Sequence, residues 1–149
     1  FWTMMLDAPV ARDQDKPTVT RGRQLFAQAR CATCHVPELK TGQLEQFPQL
    51  SNRRIQPYTD LLLHDMGPDL ADGRPDFKAS GSDWRTAPLW GIGMSKQVNG
   101  STSFLHDGRA RNLTEAILWH GGEAQASRDS FTKMSKQDRD DLLTFLNAL

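Results

Sequence analysis

The chain is 149 residues long and 38% hydrophobic, with a mean hydropathy of -0.58. That length fits one domain with its own core, and a bound cofactor would add apolar core that the composition lacks. Lys and Arg total 18 against 18 Asp and Glu, a balance that argues against nucleic acid or an anionic membrane surface as partner, and no apolar run approaches the ~20 residues of a membrane span.

The opening Phe1-Trp2-Thr3-Met4-Met5-Leu6 has neither the basic start nor the apolar stretch of a signal peptide. It reads as the start of a mature product or of a piece of a larger protein. Residues 1–17, with Pro9 and Pro17, read as an extended lead-in. A helix is predicted from about Thr18 to Arg30, capped by Thr18 or Thr20, with Leu25, Phe26 and Ala29 on one face. Gly22 lies one turn before Phe26, and a glycine beneath an aromatic lets a second helix approach closely.

This helix runs into Cys31-Ala32-Thr33-Cys34-His35. The pattern is C-x-x-C-H, the attachment signal for c-type haem. Two thiols three positions apart can each add to a vinyl group of one porphyrin, and the histidine that follows can bind the iron. These are the chain's two cysteines. A redox disulfide wants a preceding strand in a βαβ setting, and a zinc site wants a second pair of ligands; neither pattern is visible. One covalent haem c is therefore expected, and because such haem is attached outside the bacterial cytoplasm, so is a periplasmic or otherwise exported location.

Val36 to Gly42 reads as a loop, as do residues 43–57, where Arg53 and Arg54 face solvent or a haem propionate. Pro57 to Pro68 predicts a short helix or turn begun by Thr59 or Asp60, with Leu61, Leu62 and Leu63 used in packing and Gly67-Pro68 ending it. His64 and Met66 are both candidate iron ligands there. Residues 67–83 read as a surface loop. Trp84-Arg85-Thr86-Ala87-Pro88-Leu89-Trp90-Gly91-Ile92 suits a segment lying along a large flat cofactor, with Trp90 against it and Arg85 pairing with a propionate; a buried aromatic corner with a surface arginine is the other reading. Met94 follows, in the loop region where many single-haem cytochromes place a methionine ligand.

Phe104 to Arg111 is a turn around Gly108 leading into a second helix, where Asn112 with Glu115 makes a capping signal. Leu113, Ala116, Ile117 and His120 share one face, so His120 points where the apolar residues point, and Gly121-Gly122 stop the helix. The last helix opens with Ser135 and Asp138 and carries Leu142, Leu143, Phe145, Leu146 and Leu149. It is predicted to cross the first helix, with Phe145 or Leu142 near Gly22 and Phe26. The pattern predicts an all-α, cytochrome c-like domain over residues 18–149, with long loops around one haem.

Several stretches together resemble the di-haem oxidoreductases, sometimes labelled thiol oxidoreductases. They are Leu25-Phe26 before the C-x-x-C-H, Pro57 to Gly67, Trp84 to Gly91, Leu105-His106-Asp107-Gly108-Arg109-Ala110 and Trp119-His120-Gly121-Gly122-Glu123-Ala124. That family is similar to the bacterial di-haem cytochrome c peroxidases and to the di-haem enzyme that matures methylamine dehydrogenase. Such relatives have two cytochrome c-like domains, each with its own C-x-x-C-H, and this chain resembles the C-terminal one. In the peroxidases that domain holds the electron-accepting haem, and its sixth ligand stands fourteen positions after the histidine of a His-Asp-Gly turn. Counting fourteen from His106 reaches His120, the residue the helix face also selects. His35 and His120 are thus the expected axial ligands of a six-coordinate, low-spin haem, with Glu123 or a backbone carbonyl orienting His120. The relatives' calcium site does not carry over, because Asn99-Gly100-Ser101-Thr102-Ser103 departs from their pattern.

Three functions follow, in order of expectation. The first is electron transfer to or from a second haem domain, with an electron donor or acceptor protein as further partner and Trp84, Trp90 or Trp119 on the route. The second is peroxidase or oxidase chemistry at an open or displaceable sixth position, with His64 or His106 as acid-base group. The third is a binding domain that has lost its haem.

Overall fold

The computed structural model describes residues 6–149; the opening Phe1 to Met5 lies outside the described residues. The elements in order are α1 (Pro17–Gln28), β1 (Leu39–Lys40), β2 (Arg54–Ile55), β3 (Leu63–Asp65), β4 (Asp83–Arg85), α2 (Ser95–Asn99), α3 (Leu113–Leu118), α4 (Gln125–Lys133) and α5 (Lys136–Ala148). The content is mixed rather than purely helical, with 40% helix and two small sheets. No helix among the described residues is long and apolar enough to cross a membrane.

The core is built where α1 crosses α5. Gly22 makes the crossing possible: a Cβ there would stand 2.1 Å from the Asp141 carbonyl oxygen and 2.6 Å from Phe145 Cβ. Phe26 meets Phe145 with ring centres 5.5 Å apart, and Tyr58 closes the triangle at 6.1 Å from Phe26 and 5.8 Å from Phe145, all edge to face. Val19, Leu25, Leu142 and Leu146 fill the space around them. Both predicted partners of Gly22 and Phe26 thus lie in the core. The lead-in docks here too, since Arg12 donates its main-chain N–H to the Ala148 carbonyl at 2.7 Å.

Other expectations change. α1 begins on Pro17, whose missing N–H costs nothing in a first turn, and Lys16 takes the cap position without a side-chain bond; neither Thr18 nor Thr20 caps it. Leu39–Lys40 pairs antiparallel with Arg54–Ile55 inside stretches read as loop. Residues 57–68 form no helix. Tyr58 and Leu61 adopt left-handed backbone, φ 54° and 62°, and the side chains of Thr59 and Asp60 accept the N–H groups of Leu61 and Leu62, each two residues on. Such local bonds compete with helix and turn the chain instead. It then enters β3, paired with β4 in the register Leu63 to Arg85, His64 to Trp84 and Asp65 to Asp83. Leu61, Leu62 and Leu63 are not packing residues; they are 55%, 60% and 55% exposed. α4 was not foreseen, because Phe131 is its one buried side chain and no stripe marks it. The cap predictions for α3 and α5 hold: Asn112 accepts from the Glu115 N–H and Ser135 from the Asp138 N–H.

Candidate haem site

α1 ends at Gln28, and Arg30, with φ 65°, turns the chain into a tight turn over Cys31–Thr33. The turn closes as the His35 N–H donates to the Cys31 carbonyl at 3.0 Å. The imidazole of His35 donates from Nδ1 to the Tyr58 carbonyl at 3.0 Å. Left-handed backbone is unusual for a bulky residue such as Tyr58. It is held by neighbours on every side: the Tyr58 ring lies in the aromatic core, Thr59 donates its N–H to the Val36 carbonyl at 3.0 Å, and the buried Thr59 hydroxyl donates to the Thr86 carbonyl at 2.7 Å.

His120 follows the C-terminus of α3. Its Nδ1 donates to the carbonyl of Ala116, four residues back, at 2.7 Å. Of the two orienting groups considered, the backbone carbonyl is therefore the one used. The rings of His35 and His120 lie with centres 6.5 Å apart and planes at 47°. A metal held between two imidazole nitrogens at about 2.0 Å each requires ring centres about 6 Å apart. Both Nδ1 atoms donate to main chain, so each neutral ring keeps Nε2 as its lone-pair nitrogen. Burial pushes His35 down to about 4, against the opposing pull of the Tyr58 carbonyl, and burial also lowers His120 despite the Ala116 carbonyl. The observed 6.5 Å is of that size, and the two Nε2 atoms are the ring nitrogens left available to a metal.

Both thiols are half-buried. Burial pushes Cys31 up to about 11, and burial followed by the charges of Asp60 and Glu123 raises Cys34. Ligand atoms of Cys34, Asp60 and His64 lie within 4.8 Å of one another, yet His64 is already engaged by carboxylates at both nitrogens: Asp60 at 2.9 Å and Glu123 at 2.8 Å.

The remaining candidates are placed as follows. His64 is thus bound away in β3, and the imidazole beside His35 is that of His120. Met66 belongs to a segment whose main chain abuts Gly121, and Met94 ends a turn packed on the C-terminus of α5 through Gly93. Arg85 is an exposed residue of β4 opposite Leu63, and Trp90 is half-buried between Leu89, which packs on the core, and Gly91. His106 stacks on Trp84 at 3.5 Å with planes 7° apart, and Arg109 lies 4.8 Å over the ring of Trp119. The arrangement that sequence reasoning missed is the Asp60–His64–Glu123 cluster, because the three charges converge only through β3 and the Gly121-Gly122 turn.

No curated protein and no solved structure matches this chain. A family model described as "Di-haem oxidoreductase, putative peroxidase" matches residues 1–149, the whole chain. The chain therefore belongs to the di-haem oxidoreductase family, and an oxidoreductase role with bound haem comes with that membership.

Proposed function

We propose that residues 18–149 form a cytochrome c-like electron-transfer domain carrying one covalent haem c. The observation that carries this reading is the pair His35 and His120, 6.5 Å apart and each tied by Nδ1 to a main-chain carbonyl. Cys31 and Cys34 would hold the haem through thioethers, and His35 and His120 would ligate its iron. When bound, the haem supplies a one-electron iron couple. With His35 and His120 both holding the iron, a substrate would find no free ligand position, which would favour electron passage over chemistry at this iron. The Tyr58 and Ala116 carbonyls fix the ring tautomers and raise the basicity of both donor nitrogens, and imidazole in place of a methionine sulfur lowers the potential.

The acid-base alternative loses its first candidate, because His64 is clamped between Asp60 and Glu123 and is not free to take a substrate proton. We assign the second haem domain of the family as the electron partner, and the consecutive exposed residues Leu61, Leu62 and Leu63 as part of the surface it covers. Because haem is attached at C-x-x-C-H outside the bacterial cytoplasm, we propose a periplasmic or otherwise exported location.

The test is the spectrum of the protein expressed with a haem-attachment system. A low-spin ferric haem without the far-red methionine-to-iron band is expected, with haem retained on denaturation. His120→Ala should turn the iron high-spin. An unchanged His120→Ala spectrum overturns the ligation, and the methionine band would return Met94 or Met66 as ligand.

A further inference from the structure

One charged cluster, unused by the ligation proposed above, lies between the two segments that carry the axial histidines. Asp60 stands two residues beyond Tyr58, whose carbonyl holds His35, and Glu123 stands three beyond His120. His64 bridges them, with Nε2 2.9 Å from Asp60 Oδ2 and Nδ1 2.8 Å from Glu123 Oε2. A neutral imidazole donates from one nitrogen only, so two flanking carboxylates select the doubly protonated ring. Each carboxylate is anchored through its other oxygen: Asp60 Oδ1 accepts the Leu62 N–H at 2.9 Å and Glu123 Oε1 the Asp65 N–H at 3.1 Å.

The main chains beneath the cluster touch. A Cβ on Gly122 would stand 2.2 Å from the Asp65 carbonyl oxygen, and one on Gly121 would stand 2.9 Å from that of Met66. The chain after His120 is therefore pressed onto the end of β3. After Gly121 the chain enters a helical turn, Gly122–Ala124, that leads directly into α4, so Glu123 stands on the piece of chain that makes this contact.

We propose that His64 is a positioning residue for the axial pair: by bridging Asp60 and Glu123 it ties the chain that orients His35 to the chain that follows His120, and so fixes the separation of the two imidazoles. The inference rests on the bis-histidine ligation proposed above. With the bridge intact, His120 stays in place against small competing ligands. With it broken, the segment after His120 swings more freely, and the ring leaves its position more often.

The experiment is cyanide binding to the ferric haem-loaded protein, followed by the Soret change in wild type, His64→Leu, Glu123→Gln and the double variant. Cyanide must wait for His120 to leave, so its limiting rate reports that step. Each single variant is expected to raise that rate about tenfold or more, the usual effect of removing a group that orients a metal ligand. The double variant is expected to go no further than the singles, because both break one bridge. A bystander role in stability would lower Tm and leave the cyanide rate unchanged. Glu123→Gln keeps the side-chain shape at an exposed position, so it carries the prediction if His64→Leu fails to load haem. A low-spin wild type whose variants stay within about twofold overturns the bridge alone. A high-spin wild type overturns the ligation and this inference with it.

Discussion

Gly22→Ala is the sharpest perturbation of the scaffold that delivers the haem motif. The added methyl would lie 2.1 Å from the Asp141 carbonyl oxygen and 2.6 Å from Phe145 Cβ, where ordinary contact begins at 3.4 Å. Two of the nearest atoms are backbone, so no side chain can swing aside, and α1 and α5 must part by roughly 1 Å at their crossing. Overpacking of this kind costs about 3 kcal/mol, and the better helix propensity of alanine returns about 1 kcal/mol. The net is a loss of about 2 kcal/mol, or a fall in Tm of roughly 4–8 °C for a domain of this size. The same displacement loosens Phe26 and Phe145 around Tyr58, whose carbonyl holds His35, so haem loading should fall as well. The assay is urea unfolding with thermal melts of the loaded protein, with Gly42→Ala as control, because a Cβ at Gly42 meets nothing within 4 Å. A Gly22→Ala protein as stable as wild type would refute the crossing geometry.

Three further outcomes are expected. Gly122→Ala puts a Cβ 2.2 Å from the Asp65 carbonyl at a residue with φ 51°, so it should cost about 2–4 kcal/mol and shift the ferric spectrum toward high spin; an unchanged spectrum in a folded variant counts against the contact. Asn112→Ala removes the cap bond to the Glu115 N–H at 2.8 Å and should cost about 1 kcal/mol in urea unfolding, with a loss under a few tenths arguing that the cap is unused. The third concerns pH. His64 is raised from 6.5, first by Glu123 and then by Asp60, so its contribution is complete below 6.5 and is lost as pH rises through the folded value. Glu123 is lowered from 4.5 by His64 and the Asp65 N–H, so its share is present above 4.5 and is lost as pH falls. At Asp60, burial raises the carboxyl, but the Leu62 N–H and His64 outweigh it and leave it below 3.8, so its share fails on the same acid side. The stability gap between wild type and His64→Leu should therefore be widest between about pH 4.5 and 6.5 and narrow above that. A gap that widens toward pH 9 in urea unfolding would contradict the assignment.

Much of the site was legible because its parts are local or periodic. C-x-x-C-H is a covalent spacing, and α3 and α5 announced themselves by caps whose bonds form as expected. Leu113 and Ile117 do share the inner face of α3, but that helix ends at Leu118, and His120 is placed by the turn beyond it, closed by its N–H to the Ile117 carbonyl at 3.1 Å. Residues 57–68 were illegible for the opposite reason. Their three leucines mimic a packed helix, yet the hydroxyl of Thr59 and the carboxylate of Asp60 take the N–H groups a helix would have used. α4 left no trace because one buried side chain makes no stripe.

The sequence by itself determined where the C-x-x-C-H motif lies, that His35 follows its thiols, and that Leu113 and Ile117 share the apolar face of the helix before His120. Those are statements about neighbours along the chain, where bond geometry and helical period decide. Only the tertiary structure decided that the two imidazoles stand 6.5 Å apart, that Tyr58 and Ala116 carbonyls orient them, and that Asp60, His64 and Glu123 converge between their segments. Each of these depends on residues brought together by the close crossing at Gly22 and the glycine contact after His120, or on backbone angles no residue type dictates. Separations in space of that kind are set by packing, and packing has no period to read.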